Sequence, residues 1–305
     1  MIRLLTFNRL SLLREDRDEN GLVTGALDQL SSTAKTFDCH LLQRPAGECV
    51  LDALGEASQQ TRLHSVTGNG GCDVMQVMAQ RDVELNFPEW MQPSVLTHQP
   101  VEFVHERMMR ASDDSCDLRL QWTHVELPDD GARIVWLDGL LKAAAMVSRA
   151  FSDDRLIVTA IAGEERQTSR FESLLWEEQV RLPLFIAGKG IGCERVNCQT
   201  GSFDVLETVL AELGDTRTDP EEDSPFSLTD AQRENCLRSI YLSQGTTDAV
   251  RTADFMLVRS SSGMSDEQVA LYGKPCDVWN VHDLSREYPD VTDRLLAQLE
   301  DHLPS

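Results

Sequence analysis

The stretch LIVTAIAGEER, residues 156–166, decides the fold prediction. It begins with Leu156, Ile157 and Val158, which are apolar and partly β-branched with no polar residue between them. This pattern is typical of a strand buried on both faces of a sheet. In an open α/β sheet, chemistry usually lies at the carboxyl end of such a strand. The residues at that end are an alanine, an isoleucine and another alanine, and these side chains neither bind a metal nor transfer a proton.

Strand and helix patterns alternate along most of the 305 residues. Such alternation predicts βαβ units and therefore an α/β fold, with a mostly parallel sheet and helices on both faces. The predicted strands are 2–7, 61–67, 118–126, 156–161 and 182–187, and the predicted helices are 25–35, 49–57, 102–111, 135–151 and 203–213.

The segment DTRTDPEEDSP, residues 215–225, divides the chain by its composition. It is acidic and contains two prolines, which is typical of a solvated loop or linker. Beyond it, a short helix near 231–239, strand patterns at 249–258 and 269–272, and a helix near 292–302 predict a small C-terminal α+β subdomain. We therefore predict a core of residues 1–214, an acidic loop of 215–227 and a subdomain of 228–305.

The charge balance excludes several classes of partner. The chain has 51 acidic and 28 basic residues and a net charge of −23, which argues against nucleic acid and anionic membranes as partners. No segment approaches the ~18 uninterrupted apolar residues of a membrane span. Arg3, Asn8 and Arg9 interrupt the apolar N-terminus, and no small-residue cleavage site follows them. We therefore expect a cytoplasmic protein.

Common catalytic and metal-binding motifs are absent from the sequence. None of the eight cysteines forms a CxxC pair, so we expect reduced thiols rather than a zinc site. No two of the seven histidines have helical metal-ligand spacing. The sequence also lacks a GxGxxG turn after the first strand, a P-loop and a GxSxG elbow.

Two segments in the middle of the chain resemble a known family. SDDRLIVTAIAGEE, residues 152–165, is followed by LLWEEQVRLPLFIAGKG, residues 174–190. This pair resembles the sulfatases of the alkaline phosphatase superfamily, in which a strand runs into T-S-D-H-G-E and a later stretch is similar to L-Y-E-E-x-x-R-V-P-L-I-I-x-G-P-G. The helix pattern at 203–214 resembles the family's D-L-x-P-T-L-L-E-L-A-G landmark, and IRLLTFNRL, residues 2–10, its metal-binding first strand. The resemblance implies an alkaline-phosphatase/sulfatase-like fold.

The metal positions depart from the family pattern. The resemblance implies calcium bound by carboxylates at the end of the first strand and by an Asp-His pair after the later one. Asn8 stands where a ligand Asp is expected, and Ile161 and Ala162 stand where that pair is expected. Because Ca²⁺ needs several converging oxygen ligands, we predict no metal and no other cofactor. We expect Ile161 and Ala162 to be largely buried, with no open charged cleft beside them.

The expected nucleophile is missing as well. Active sulfatases have a C/S-x-P-x-R segment whose first residue matures to formylglycine. In the corresponding region, residues 37–54, neither Cys39 nor Cys49 is followed by Pro and Arg at those spacings. We therefore assign no catalytic residue.

Five other polar residues are candidates for a rebuilt cleft. Asp38 and His40 lie in the region just discussed, and His124 lies near the end of a candidate neighbouring strand. Glu164 and Glu165 directly follow the opening strand. Alternatively, the glutamates are solvated turn residues and the histidines are scattered polar positions.

Three functions remain open. The first is a sulfatase-like protein that has lost sulfuric-ester hydrolase activity and acts in binding or protein contact. The second is a divergent sulfate or phosphate ester hydrolase with a rearranged site. The third is a cytoplasmic binding protein that uses the vacated cleft for a neutral or cationic ligand, which the net charge of −23 favours. The sequence does not identify the partner, whether small molecule or protein.

Overall fold

Two β-sheets organise the residues that the computed structural model describes, namely 2–7, 10, 29–42, 61–66, 120–125, 127, 133–160, 163, 175–213, 228–229, 238–244, 246–260 and 268–302. The larger sheet contains β1 (Ile2–Phe7), β2 (Lys35–Leu41), β3 (Thr61–Val66), β4 (Leu120–Val125), β5 (Arg155–Ala160), β6 (Arg181–Leu182), β7 (Leu184–Gly188) and β8 (Arg195–Gly201). The smaller sheet contains β9 (Ile240–Gln244), β10 (Thr247–Arg251), β11 (Phe255–Ser260) and β12 (Gln268–Gly273). The helices are α1 (Arg133–Ala150), α2 (Glu177–Val180), α3 (Ser202–Leu213) and α4 (Pro289–His302).

The larger sheet is mixed but mostly parallel. Its strands follow the order β3-β4-β1-β5-β7-β2-β6, with β8 beside β2. The strands β3, β4, β1, β5, β2 and β8 run in one direction, and only β6 and β7 of the described strands run against them. Pro183, which has no N–H to donate to a ladder, separates β6 from β7. The predicted α/β fold with a mostly parallel sheet is confirmed.

The centre of this sheet is buried on both faces. All six residues of β1 are buried. On β5, Leu156 and Val158 belong to an apolar cluster that includes α1, and Ile157, which alternates with them onto the opposite face, is also fully buried. This explains the unbroken apolar run in the sequence. Among the described helices, none combines the length and the apolar character needed to cross a membrane.

The smaller sheet is antiparallel, in the order β12-β11-β10-β9. Helix α4 packs on one face, where Leu295 and Leu299 join a buried cluster with residues of β10, β11 and β12. The other face packs against the larger sheet, where Leu41 of β2 joins a cluster with Ile240 of β9 and Met256 of β11. The C-terminal region therefore has the predicted α+β composition.

Several element predictions differ from the structure. The strand predicted at 249–258 is two strands, β10 and β11, because Thr252 makes a tight turn in which its Oγ1 accepts from Phe255 N over 3.1 Å. Strand β2 was not predicted and begins at Lys35, where the predicted helix still continues. The strand was missed because its polar residues interrupt the apolar pattern. These residues bind partners that are distant in sequence, as in the 2.7 Å ion pair of Lys35 with Glu194.

Strands β8 and β9 were not predicted either. The predicted helices at 49–57 and 102–111, most of the helix at 231–239, and the acidic segment at 215–227 lie outside the described residues. The domain boundaries at 214 and 228 therefore stay predictions.

Candidate functional site

The parallel strands β4, β1 and β5 end side by side at the candidate edge of the larger sheet. Phe7 pairs in register with Val125 on one side and with Ala160 on the other. These three residues are buried, with exposures of 0%, 0% and 4%. Leu10 and Leu127, which follow β1 and β4, are buried in the same apolar cluster. The last residues of these three strands therefore fill their side of the edge with hydrocarbon.

The residues predicted to mark this edge are only partly described. Asn8 follows β1 directly, and Ile161 and Ala162 follow β5. These three residues lie outside the described part of the chain, as do Glu164 and Glu165. Their burial stays a prediction.

His40 lies in the interior of the larger sheet. It is 1% exposed, and its Nδ1 lies 3.0 Å from Thr200 Oγ1 on the neighbouring strand β8. Burial lowers the pKa of His40 to about 3, so the imidazole is neutral at pH 7. A neutral, enclosed histidine is held as a hydrogen-bonding group of the core.

Asp38, on the same strand, lies nearer the protein surface. Its Oδ1 lies 2.8 Å from Arg195 Nε, and its backbone oxygen accepts from Arg181 Nε over 2.8 Å. His124 lies on β4, which is separated from β2 by β1, β5 and β7. Because neighbouring strands lie about 4.8 Å apart, the sheet places His124 on the order of 19 Å from Asp38 and His40. The structure does not bring the three together.

A row of residues with polar side chains crosses four parallel strands near the candidate edge. Thr6 pairs with His124 on β4 and with Thr159 on β5, and His124 pairs with Ser65 on β3. Thr6 and Thr159 are buried. Each of the four lies one residue before the end of its strand. Only His124 among them was predicted as a site residue, because the register that aligns the row is not visible along the chain.

Three buried charged residues meet where the two sheets join, and we call them the junction cluster: Glu177, Arg251 and Lys274. Glu177 Oε1 lies 3.4 Å from Arg251 Nε and 3.3 Å from Lys274 Nζ. Lys274 Nζ also donates to Asn280 Oδ1 over 2.6 Å and to the backbone oxygen of Asp277 over 2.5 Å. Burial lowers the pKa of Lys274, and the neighbouring Glu177 carboxylate opposes that shift. The sequence offered one local signal for this site, a Glu-x-x-x-Arg spacing from Glu177 to Arg181 directly before the apolar run of residues 182–187.

Helix α2 connects the candidate edge with the junction cluster. Gly163, just beyond β5, donates its N–H to the backbone oxygen of Gln179 over 3.0 Å. Glu177 lies in the same short helix. Cys39 of β2 lies in the electrostatic field of the cluster, and burial raises the pKa of its thiol. The thiol is therefore protonated at pH 7, which makes it a poor nucleophile.

The described part of the edge does not fit the calcium ion that the resemblance implies. Ca²⁺ takes six to eight oxygen ligands, whereas Phe7, Val125 and Ala160 present hydrocarbon side chains. No three His, Cys, Asp or Glu side chains of the described residues lie close enough together to hold a metal ion.

Solved structures match the chain over almost its whole length. Ps i-CgsB, in complex with k-i-k-neocarrahexaose, has a TM-score of 0.69 at 10% identity, with 98% of this chain and 92% of that chain covered. The PsFucS1 sulfatase from Pseudoalteromonas sp. has a TM-score of 0.64 at 11% identity, with 99% and 89% covered. A protein in the alkaline phosphatase superfamily from Vibrio parahaemolyticus has a TM-score of 0.59 at 14% identity, with 95% and 87% covered.

Similarity at this level lies in the structure and not in the sequence. No protein-family model matches the sequence, and no curated protein matches it. At 10–14% identity the structural matches establish the fold, and they confirm the resemblance seen in the sequence motifs. The chain has the fold of the sulfatases and of other proteins in the alkaline phosphatase superfamily.

Proposed function

We propose that this chain is a sulfatase-fold protein that does not hydrolyse sulfate esters and acts by binding another molecule. One observation supports this most: the strands that meet at the candidate edge end in the buried apolar residues Phe7, Val125 and Ala160. Metal-assisted ester hydrolysis depends on groups that stabilise developing negative charge. Hydrocarbon side chains do not supply that stabilisation.

The candidate nucleophiles and bases of β2 agree with this proposal. Cys39 is held as a protonated thiol by burial, and the pKa of His40 near 3 leaves it neutral in the core. Asp38 is engaged by Arg195. A nucleophile and its base must lie within hydrogen-bonding distance of each other. No two of these three side chains form such a pair.

The ligand class that we propose is neutral or cationic. The net charge of −23 repels anionic ligands over a range set by the ionic strength. Nucleic acid and anionic membranes are therefore outside the proposed set of partners, and we place the protein in the cytoplasm.

Metal content and turnover of the purified protein test the proposal. We expect no stoichiometric calcium and no release of para-nitrophenol from para-nitrophenyl sulfate or para-nitrophenyl phosphate, with or without added CaCl₂. Calcium-dependent turnover that is lost in Asp38→Ala or Glu164→Ala, and retained in the exposed-helix control Met146→Ala, would overturn it and would support a rearranged hydrolase site.

Restoring the family's ligands gives a second test. In Asn8→Asp/Ile161→Asp/Ala162→His we expect no calcium binding by isothermal titration calorimetry. We also expect the free energy of unfolding to fall by about 1–3 kcal/mol or more, because polar groups at an apolar site lack partners. A triple variant that is as stable as wild type, or that binds calcium, contradicts an edge closed by apolar packing. Asn8→Ser/Ile161→Val/Ala162→Ser is the matched control for substitution at these positions.

A further inference from the structure

The loop between β12 and α4 presents apolar side chains to solvent, and we call its residues 275–282 the Trp279 loop. Trp279 is 45% exposed and Val281 is 79% exposed. Asn280, between them, is buried at 8%. The two exposed apolar residues therefore flank a residue whose side chain is fixed in the protein interior.

Hydrogen bonds hold the loop in one conformation. Asn280 has a φ of 52°, in the left-handed region that asparagine tolerates better than most residues. Its Oδ1 accepts from Lys274 Nζ over 2.6 Å, and its Nδ2 donates to the Leu175 oxygen over 3.5 Å. The Asp277 carboxylate accepts from Val281 N over 2.9 Å. A surface that is already ordered loses little conformational entropy when it binds a partner.

The segment that carries these apolar side chains is acidic. Residues 275–290 contain four acidic residues and a single arginine. The Glu287 carboxylate lies 3.5 Å from the His282 imidazole, next to Val281. Lys274 anchors the loop through its hydrogen bond to Asn280. Its side chain is fully buried, so its charge is not accessible to a partner. The loop thus combines an apolar tip with the four carboxylates of residues 275–290, which we call the acidic rim, in a chain whose net charge is −23.

We infer that the Trp279 loop docks a basic protein segment in which an aliphatic or aromatic side chain lies among lysines or arginines. The inference deepens the proposed binding role and rests on it. An exposed tryptophan in a fixed loop is the kind of residue that dominates interface energetics. The acidic rim adds electrostatic complementarity, which raises the association rate and selects the partner.

The rim charge decides between kinds of occupant. A second copy of this chain would bring two acidic rims together, and an anionic surface would be repelled by them. A neutral sugar would stack on the Trp279 ring without using the carboxylates, so its affinity would not depend on salt. A basic segment uses both the ring and the rim.

Selection of binders from a displayed library of random peptides, on the full-length protein, tests the inference. We expect enriched peptides that combine lysine or arginine with an aliphatic or aromatic residue. Trp279→Ser and Val281→Ser should each weaken the binding of a synthetic copy by about tenfold or more. Val135→Ser, at an exposed valine of α1 (70% exposed), is the matched control and should leave binding unchanged. Raising NaCl from 50 to 500 mM should weaken wild-type binding several-fold.

Four results would overturn the inference. They are a failure to enrich any peptide, enriched peptides without basic residues, equal binding to wild type and Trp279→Ser, and complete displacement of the peptide by maltose. Thermal melts followed by circular dichroism verify that Trp279→Ser and Val281→Ser fold. Ester turnover measured on the same samples separates the two proposals, because turnover would overturn the non-hydrolytic role and leave peptide binding unaffected.

Discussion

The candidate edge and the junction cluster are connected by α2 and have opposite chemistry. At the edge, Phe7 and Ala160 pair across buried strands and are surrounded by aliphatic side chains. At the junction, Glu177, Arg251 and Lys274 are equally buried but carry formal charges. The edge is the place where an α/β sheet usually has its polar site, yet this cluster of buried charges lies where the two sheets meet.

The comparison shows what each region contributes. Burying a charge costs several kcal/mol unless a partner and further hydrogen bonds compensate it. Lys274 has this compensation, since it reaches one carboxylate, one amide oxygen and one backbone oxygen, whereas Glu177 Oε1 and Arg251 Nε face each other at ion-pair distance without a hydrogen bond. These contacts can form only when β10, β12 and α2 are in place together, so we expect the cluster to fix how the smaller sheet docks. The apolar edge supplies burial without such directional requirements.

Removal of the junction carboxylate should have the largest effect. Glu177→Gln keeps the side-chain shape but leaves Arg251 and Lys274 buried without an anion. We expect the free energy of unfolding to fall by about 3–5 kcal/mol, measured by urea denaturation at pH 7.

Two further variants sharpen that measurement. Glu212→Gln removes the carboxylate of a part-exposed pair with Arg155 at 2.7 Å and should cost at most about 1 kcal/mol. Glu177→Gln/Lys274→Met removes one of the uncompensated cations and should recover part of the loss. If Glu177→Gln costs no more than Glu212→Gln, the junction cluster does not hold the sheets together.

Introduction of a charge at the apolar edge is the reverse experiment. Ala160→Asp places a carboxylate at a position that is 4% exposed and packed in the apolar cluster of β1 and α1. We expect a loss of about 3 kcal/mol in the free energy of unfolding, with Ala253→Asp at an exposed turn as the control. A neutral effect of Ala160→Asp would mean that the edge is open and polar, and the contrast between the two regions would fail.

The pH dependence of stability tests His40, the buried histidine of β2. In the unfolded chain its pKa is the ordinary 6.5, and in the folded protein it is about 3. Well above pH 6.5 neither state binds the proton, so His40 contributes no pH dependence there. As the pH falls from 6.5 toward 3, the unfolded chain takes up a proton that the folded protein does not, and stability decreases. At pH 5 the loss is about 2 kcal/mol.

Urea denaturation between pH 7 and pH 5 measures this term as a difference between variants. His40→Gln should lose less stability over that range than wild type. His282→Gln, at an exposed histidine (71% exposed), should keep the wild-type slope. Equal slopes for wild type and His40→Gln would mean that the imidazole is accessible to protons in the folded state.

The elements that were predicted correctly from the sequence are those whose buried residues form an apolar pattern within a single segment of the chain. Strand β5 and helix α1 bury a continuous run or stripe of apolar residues, so their periodicity is visible along the chain. Strand β2 was missed because Lys35, Asp38 and His40 interrupt any apolar pattern. Their partners are Glu194, Arg195 and Thr200, more than 150 residues away in sequence.

The candidate site was predictable in part for the same reason. Asn8, Ile161 and Ala162 depart from a family pattern that is contiguous in sequence, so the departure could be noticed along the chain, and the loss of metal ligands inferred from it stays a prediction. The junction cluster joins α2 to Arg251 of β10 and to Lys274, which follows β12, and only the docked smaller sheet brings them together. Likewise, the row of Thr6, His124 and Thr159 depends on strand register, which a single strand does not specify.

The smallest expected effect comes from an exposed ion pair and tests whether burial, not charge, distinguishes the junction cluster. Lys142 Nζ lies 2.5 Å from Asp138 Oδ2, one turn earlier on α1, and the Lys142 side chain is 56% exposed. This distance is shorter than either contact of Glu177 in the junction cluster, yet water screens both charges. We expect Lys142→Gln to cost no more than about 0.5 kcal/mol by urea denaturation, and the cost should vanish at high salt. If Lys142→Gln costs as much as Glu177→Gln, proximity alone sets the strength of these pairs, and the contrast between exposed and buried charge in this protein is wrong.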